Sequence, residues 1–349
     1  MRLLRCPACD DLILFESLSC SRCAQEVGYH LPSGRMLPAG TSIDGRDWVP
    51  CSNRTWQCNW LLADGEATSQ CVACRLTRAR PDASDTMALE KLADVDVDKR
   101  RLLVQLVDLG LPVLPWHEHD GGLAFDLLSS RSSNQQVLIG HANGVITIDL
   151  AETLDDYRES LRVRLREPYR TMLGHLRHEV GHYYQSILVE TGEDVDLLAD
   201  CRALFGDERA SYSDALDRHY RLGAPEGWGE RFISEYATMH PWEDFAECFA
   251  HYLHITDTLQ TAASAGLVLR SDLVPGLAPD DVAPRVSYRD ASVDEMLADW
   301  HWVSLLFNRV NRSMGQDDLY PFDLVDPVVE KLGFIHRVVG GAHLATIQP

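Results

Sequence analysis

The chain has 349 residues, 45% of them apolar and 24% charged, with a net charge of -21. That length, near two ordinary domains, buries a sizeable core without disulfide help, and the acidic balance argues against a general nucleic-acid binder, which needs a basic footprint. No apolar run approaches the ~20 residues needed to span a bilayer, and Cys6, Asp10 and Asp11 arrive before a signal-peptide core forms, so a reducing cytoplasm is the expected location.

Eight of the ten cysteines lie in the first 74 residues. In a cytosolic chain such clustering reads as metal binding rather than a disulfide framework. Cys6-Pro-Ala-Cys9 and Cys20-Ser-Arg-Cys23 form a pair of CxxC turns, and two such turns supply the four thiolates zinc takes in structural sites. Cys51, Cys58, Cys71 and Cys74 form a looser second set, and an interleaved pairing of the eight is equally compatible with the spacing. Closed four-cysteine sites fold small modules and do no chemistry. No βαβ pattern surrounds the CxxC turns, which disfavours a redox role. Trp48, Trp56 and Trp60 are expected to pack around the second site. Residues 1–81 hold 9 Lys/Arg against 8 Asp/Glu, whereas the remainder holds 23 against 45. The polar stretch Arg80-Pro-Asp-Ala-Ser-Asp85 between them reads as a linker, giving a zinc-ribbon module over 1–80 and a second domain over 81–349.

Helical periodicity marks 86–111, followed by strands at 123–128, 136–140 and 145–149. The Asn143-Gly144 pair between the last two is a hairpin signal, and the strand over 144–149 is a candidate sheet edge for an extended substrate. Helices are expected over 155–166, from Pro168 through Leu188, and onward to the C-terminus. Strands first and helices after indicate α+β, a mostly helical domain with a small antiparallel sheet.

Within the helix after Pro168 stands His178-Glu-Val-Gly-His182. Residues i and i+4 share a helix face, so both imidazoles can grip one zinc, and Glu179 beside them can act as general base. A later helix carries Glu243, Glu247 and His251 along one stripe, with Phe245, Phe249 and Tyr252 to the other side. Carboxylates in such surroundings need a partner, and zinc with two histidines needs a third ligand. Spacing alone leaves Glu243, Glu247 and His251 open for that place.

His178–His182 with Glu243-Asp-Phe-Ala-Glu247 resembles gluzincin metallopeptidases of the anthrax-lethal-factor-like type. More broadly, the chain resembles bacterial zinc-binding metallopeptidases that carry an N-terminal zinc ribbon. That resemblance rests on Cys58-Asn-Trp-Leu61, the run Pro168–Tyr184, Phe205-Gly-Asp-Glu208, His240-Pro-Trp-Glu-Asp244, Asn311–Gly315 and Asp318–Phe322. It implies a zincin-like fold with Glu243 as third ligand and Tyr236, seven residues upstream, as an oxyanion donor. Glu247 is then expected to orient a ligand imidazole, and His240 either to donate to the oxyanion or to serve structure. His175 is read as packed or capping and Arg177 as a salt-bridge partner. Asp207, Glu208 and Arg209 are read as an ion-pair network, and Met314, Tyr320 and Phe322 as core contacts.

These readings converge on a zinc peptidase with one catalytic and two structural zincs, acting on a protein or peptide substrate. The ribbon would serve structure or recognition of a protein partner. A non-catalytic zinc-ribbon adaptor and a DNA-associated zinc protease are the competing classes. An intact Glu179 counts against the first and the acidic balance against the second.

Overall fold

The computed structural model describes residues 2–65, 68–133, 137–151, 171–192, 194–273 and 278–342. These form two compact units, the described residues up to 151 and those from 171 onward.

The first unit begins with short antiparallel pairs: β1 (Leu4–Arg5) with β2 (Leu12–Ile13), and β3 (Val27–His30) with β4 (Arg35–Pro38). A three-stranded antiparallel sheet follows, of β5 (Thr41–Ile43), β6 (Arg46–Pro50) and β7 (Leu61–Ala63). Phe15, Tyr29 and Trp60 pack ring against ring at 5.1 and 5.8 Å. Trp48 and Trp60 are buried, whereas Trp56 is exposed.

β8 (Thr77–Ala79) belongs to a different sheet, with β9 (Ala124–Leu128), β10 (Gly140–Ala142) and β11 (Val145–Asp149) in the order β10-β11-β9-β8. Asn143 and Gly144, with φ of 48° and 82°, make the tight turn that joins Ala142 to Val145. Two positive φ values suit the right-handed strand twist, which is why Asn-Gly stands there. The hairpin was legible, but β11 runs parallel to β9 and β9 parallel to β8, so this sheet is mixed rather than wholly antiparallel. β11 is also paired on both sides and is no sheet edge, which corrects the expectation for 144–149. Val137–Ile139 stay outside the strand, which pairs only 140–142 with 145–147.

α1 (Thr86–Asp108) starts at Asp85, whose carboxylate accepts from Ala88 N. Its Lys99 and Arg100 are buried, Arg100 donates to the Gln57 carbonyl at 3.0 Å, and Arg2 bonds Asp108 at 2.8 Å. With β8 pairing β9, the cysteine-bearing segments and α1 share one compact unit, so the units divide later in the chain than residue 80.

The second unit is helical. α2 (Met172–Tyr184) is capped by the Thr171 hydroxyl, which accepts from Gly174 N at 3.0 Å. Pro168 and the helix expected over 155–166 fall outside the described residues. After Tyr184 the chain continues as a π-turn, Gln185–Glu190, closed by Thr191 N donating to the Ser186 carbonyl at 2.9 Å. α3 (Val195–Phe205), α4 (Tyr212–Leu222), α5 (Pro241–Ser264), α6 (Val293–Ser313) and α7 (Asp326–Gly341) complete it. α5 is the central helix, in contact with α2, α3, α6 and α7 and buried on nearly every side from Glu243 to Thr256. A helix buried all round must give each polar group on it a partner. Lys331 of α7 does so for Asp244, at 2.6 Å, while also donating to the Arg231 carbonyl and lying over the Phe232 ring. α2 crosses α5 at Gly181, where a side chain would meet Ala246. No helix among the described residues is long and apolar enough to cross a membrane.

Candidate metal centres

Cys6, Cys9, Cys20 and Cys23 come together, and so do Cys51, Cys58, Cys71 and Cys74; in each group all the sulfurs lie within 4.8 Å of one another. The eight cysteines thus pair in sequence order, not interleaved. In the first group Cys6–Cys23 and Cys9–Cys20 stand at 3.6 and 3.7 Å; in the second Cys51–Cys74 and Cys58–Cys71 stand at 3.7 and 3.6 Å. Disulfide sulfurs would lie ~2.05 Å apart, whereas a tetrahedron of ~2.3 Å zinc–sulfur bonds has edges of ~3.8 Å. The two CxxC turns of the first group match each other. Cys6 N donates to the Asp11 carbonyl at 2.8 Å and Cys20 N to the Gln25 carbonyl at 2.9 Å; Asp10 and Ala24 take φ of 59° and 60°.

The third group lies in the helical unit. α2 presents His178 and His182 from one face, and α5 presents Glu243 from its first turn. One carboxylate oxygen, Glu243 Oε2, lies 2.9 Å from His178 Nε2 and 3.5 Å from His182 Nε2. These three residues could hold a metal ion, their donor atoms lying within 4.8 Å of one another. The close crossing at Gly181 and Ala246 brings the two helices near enough for this. Burial alone would raise the Glu243 carboxyl, but the facing His182 and His178 imidazoles reverse that and hold it well below the usual range. Burial would likewise depress His178, and its bonds to Glu243 and Glu247 lift it well above the ordinary value instead.

Glu247 accepts from His178 Nδ1 at 2.7 Å through one oxygen, and from the Ser234 hydroxyl at 2.7 Å through the other. Glu179, on the helix between the two histidines, is 4% exposed, and its Oε2 is buried without a hydrogen-bond partner. His175 Nε2 stands 3.7 Å from the other Glu179 oxygen, so His175 sits beside that carboxylate rather than packed away. Tyr236, in the short turn Tyr236–Thr238, has its ring 5.9 Å from that of His178. Burial, then the charge of Glu243, pushes its phenol well above the usual value, which keeps the proton on. A cleft open to solvent is lined by His178, Glu179, Tyr236 and Glu247, with Ala250, His251 and Phe322 among its other walls.

Not every expected residue arrives there. His240 caps α5: its Nδ1 accepts from Trp242 N at 3.1 Å and its Nε2 donates to the Ala210 carbonyl at 3.0 Å. With both nitrogens committed to backbone, it cannot donate to an oxyanion. His251 bonds the Tyr320 hydroxyl at 2.8 Å and lies outside the three-donor group. Met314 is 72% exposed and no core contact, whereas Tyr320 is buried. Arg177 pairs with Asp257 at 2.7 Å, and the ion-pair network resolves into Arg202–Glu208 and Arg209–Asp207.

Two residues at the site escaped the sequence reading. Ser234 carries no pattern of its own. Tyr212, the first residue of α4, donates its hydroxyl to Glu243 Oε1 at 2.9 Å. A tyrosine 31 positions upstream leaves no periodic signal.

Comparison with known proteins points to zinc as well. The family described as "Putative zinc-binding metallo-peptidase" matches residues 88–338, and a zinc-ribbon domain matches residues 3–85. Uncharacterized proteins of Mycobacterium bovis and Mycobacterium tuberculosis are 46% identical to the chain over 341 residues, covering 97% of it and 95% of theirs. No solved structure matches. With most of its length matched, and an N-terminal zinc ribbon preceding that match, the chain belongs to this zinc-binding metallopeptidase family.

Proposed function

We propose that this protein is a zinc-dependent peptidase that hydrolyses internal peptide bonds, with His178, His182 and Glu243 as the catalytic metal's ligands. The observation that carries the reading is the convergence of those donors beside Glu179, whose buried oxygen has no partner in a solvent-open cleft. Two neutral imidazoles and one carboxylate are a donor set zinc takes in catalytic sites, with one position left open. When bound, the metal would supply a Lewis acid that polarises a carbonyl and acidifies water.

The chain's own groups supply the rest. Glu179 takes the proton of the attacking water and returns it to the leaving amine. Tyr236, its proton held on by burial, donates to the carbonyl oxygen as negative charge develops there, a contribution of roughly 10²–10³ in rate. Glu247 accepts the Nδ1–H of His178, which fixes the tautomer and leaves Nε2 free to ligate. Ser234 in turn holds the second Glu247 oxygen.

The two four-cysteine groups are read as structural zinc sites that stabilise the first unit and offer a surface to a protein partner or substrate. Eight reduced thiols suit a reducing compartment such as the cytoplasm. The net charge of -21 supports a protein or peptide substrate over nucleic acid.

The test is Glu179→Gln. The variant should keep the parent's fold and full metal content while cleavage of an unbiased peptide library falls by about 10²–10⁴. A variant that loses metal, or cleaves as fast as the parent, refutes the assignment of Glu179.

A further inference from the structure

Glu243 has two oxygens, and they stand in different surroundings. Oε2 faces the two histidine nitrogens, at 2.9 and 3.5 Å, while Oε1 receives the Tyr212 hydroxyl at 2.9 Å. The carboxylate is 2% exposed, so water does not serve the second oxygen and a protein donor must. Tyr212 is itself firmly held. Its ring meets that of His240 edge-on at 5.3 Å and that of Trp242 at 6.0 Å. His240 Nε2 donates to the Ala210 carbonyl, two residues before Tyr212, so the start of α4 is tied to the start of α5 beside this contact. Two residues just before Glu243 therefore clamp the ring that donates to it.

We propose that Tyr212 is a positioning residue that makes Glu243 a one-oxygen ligand, by occupying Oε1 and leaving Oε2 alone to face His178 and His182. The inference rests on the metal-centre reading above. A carboxylate free to turn both oxygens toward a zinc would take up the position that a catalytic site keeps open. A hydroxyl fixed on one oxygen prevents that, and sets the carboxylate's rotation as outer partners of ligating groups do. It also divides the labour of two adjacent phenols. Tyr236 lines the cleft, whereas Tyr212 bonds the ligand carboxylate.

The test is zinc affinity, read by chelator competition on the full-length protein with the four-cysteine sites loaded. Tyr212→Phe keeps the ring and its packing on His240 and Trp242 and removes only the donor. It should weaken zinc binding at the centre by about 10–100-fold. A double-mutant cycle separates positioning from general structure. In a Glu243→His background the ligand has no spare oxygen to restrain, so Tyr212→Phe should there change the affinity by less than about twofold.

Unchanged affinity on Tyr212→Phe in the native background overturns the inference while leaving the metal centre standing, and so does an equal loss in both backgrounds. A parent protein that takes up no zinc removable by Glu243→Ala fails the metal-centre reading itself, and the inference with it.

Discussion

Gly181 decides how closely the two ligand-bearing helices approach, and Gly181→Ala tests that directly. A Cβ at this position would stand 2.9 Å from Ala246 Cα, 3.1 Å from the Ala246 carbonyl oxygen and 3.2 Å from Phe249 Cβ. Carbon atoms settle at about 3.5–4.0 Å, and two of the three neighbours are backbone, which no rotamer change relieves. The helices must separate by roughly 0.5–1 Å. Overpacking of this kind costs about 1–3 kcal/mol, and replacing a mid-helix glycine by alanine returns about 1 kcal/mol. A net loss of up to about 2 kcal/mol should lower Tm by up to roughly 8 °C for a unit of this size. Because His178 and His182 ride on one helix and Glu243 on the other, zinc affinity should fall by about tenfold as the donors are pulled apart. Calorimetry and chelator competition on the same preparation measure both. A variant as stable as the parent with unchanged affinity would refute the close-crossing argument. Lost stability with unchanged affinity would show that the crossing does not set the donor spacing.

Glu243→Ala should abolish binding of the exchangeable zinc, while Glu247→Ala should weaken it by about 10–100-fold; a structure with zinc bonded to Glu247 and not Glu243 would reverse the two roles. Elemental analysis should find three zincs per chain, two of them slow to leave from the four-cysteine groups, and a count of one would sink the paired-quartet reading. His254 is buried against Tyr320 and Trp300, and burial, helped by Arg177, lowers its value from 6.5 to about 3. The unfolded chain therefore takes up the proton first as pH falls. The stability from this residue is complete above about 6.5 and drains toward 3, by about 2 kcal/mol at pH 5. His254→Phe should flatten the dependence of Tm on pH between 7 and 5, and a slope equal to the parent's would contradict this account.

How much of the site could be read from the sequence follows from how each residue reaches it. His178, Glu179 and His182 sit within one and a half helical turns, so their juxtaposition is a property of the helix alone. Glu243 and Glu247 are one turn apart on a second helix. Spacing showed that they share a face, but ranking them took a family resemblance, because the choice depends on where α2 crosses. Tyr212 and Ser234 reach the carboxylates from an N-terminal helix residue and an irregular segment, and such contacts carry no period. The same distinction holds in the first unit. The Asn143-Gly144 turn is local and legible, whereas the parallel pairing of β9 with β8 and β11 depends on crossovers that leave no residue signature. Composition shows the polar stretch at 80–85, whereas the pairing of β8 before it with β9 after it leaves no trace in composition.

The π-turn after Tyr184 fixes the length of the chain as well as its direction. Its hydrogen bond spans five residues, from Thr191 N back to the Ser186 carbonyl, where an α-helix would span four. One residue is thus looped out of the helical count between His182 and Glu190. Glu190 closes the segment by accepting from Trp242 Nε1 at 2.9 Å, next to Glu243. Deleting one residue from 185 to 190 would let the segment wind as ordinary α-helix, removing the looped-out residue while leaving the chain on either side near its present register. The same deletion between His178 and His182 would instead turn one imidazole by about 100° relative to the other, so tolerance for a change in length begins only past the ligands.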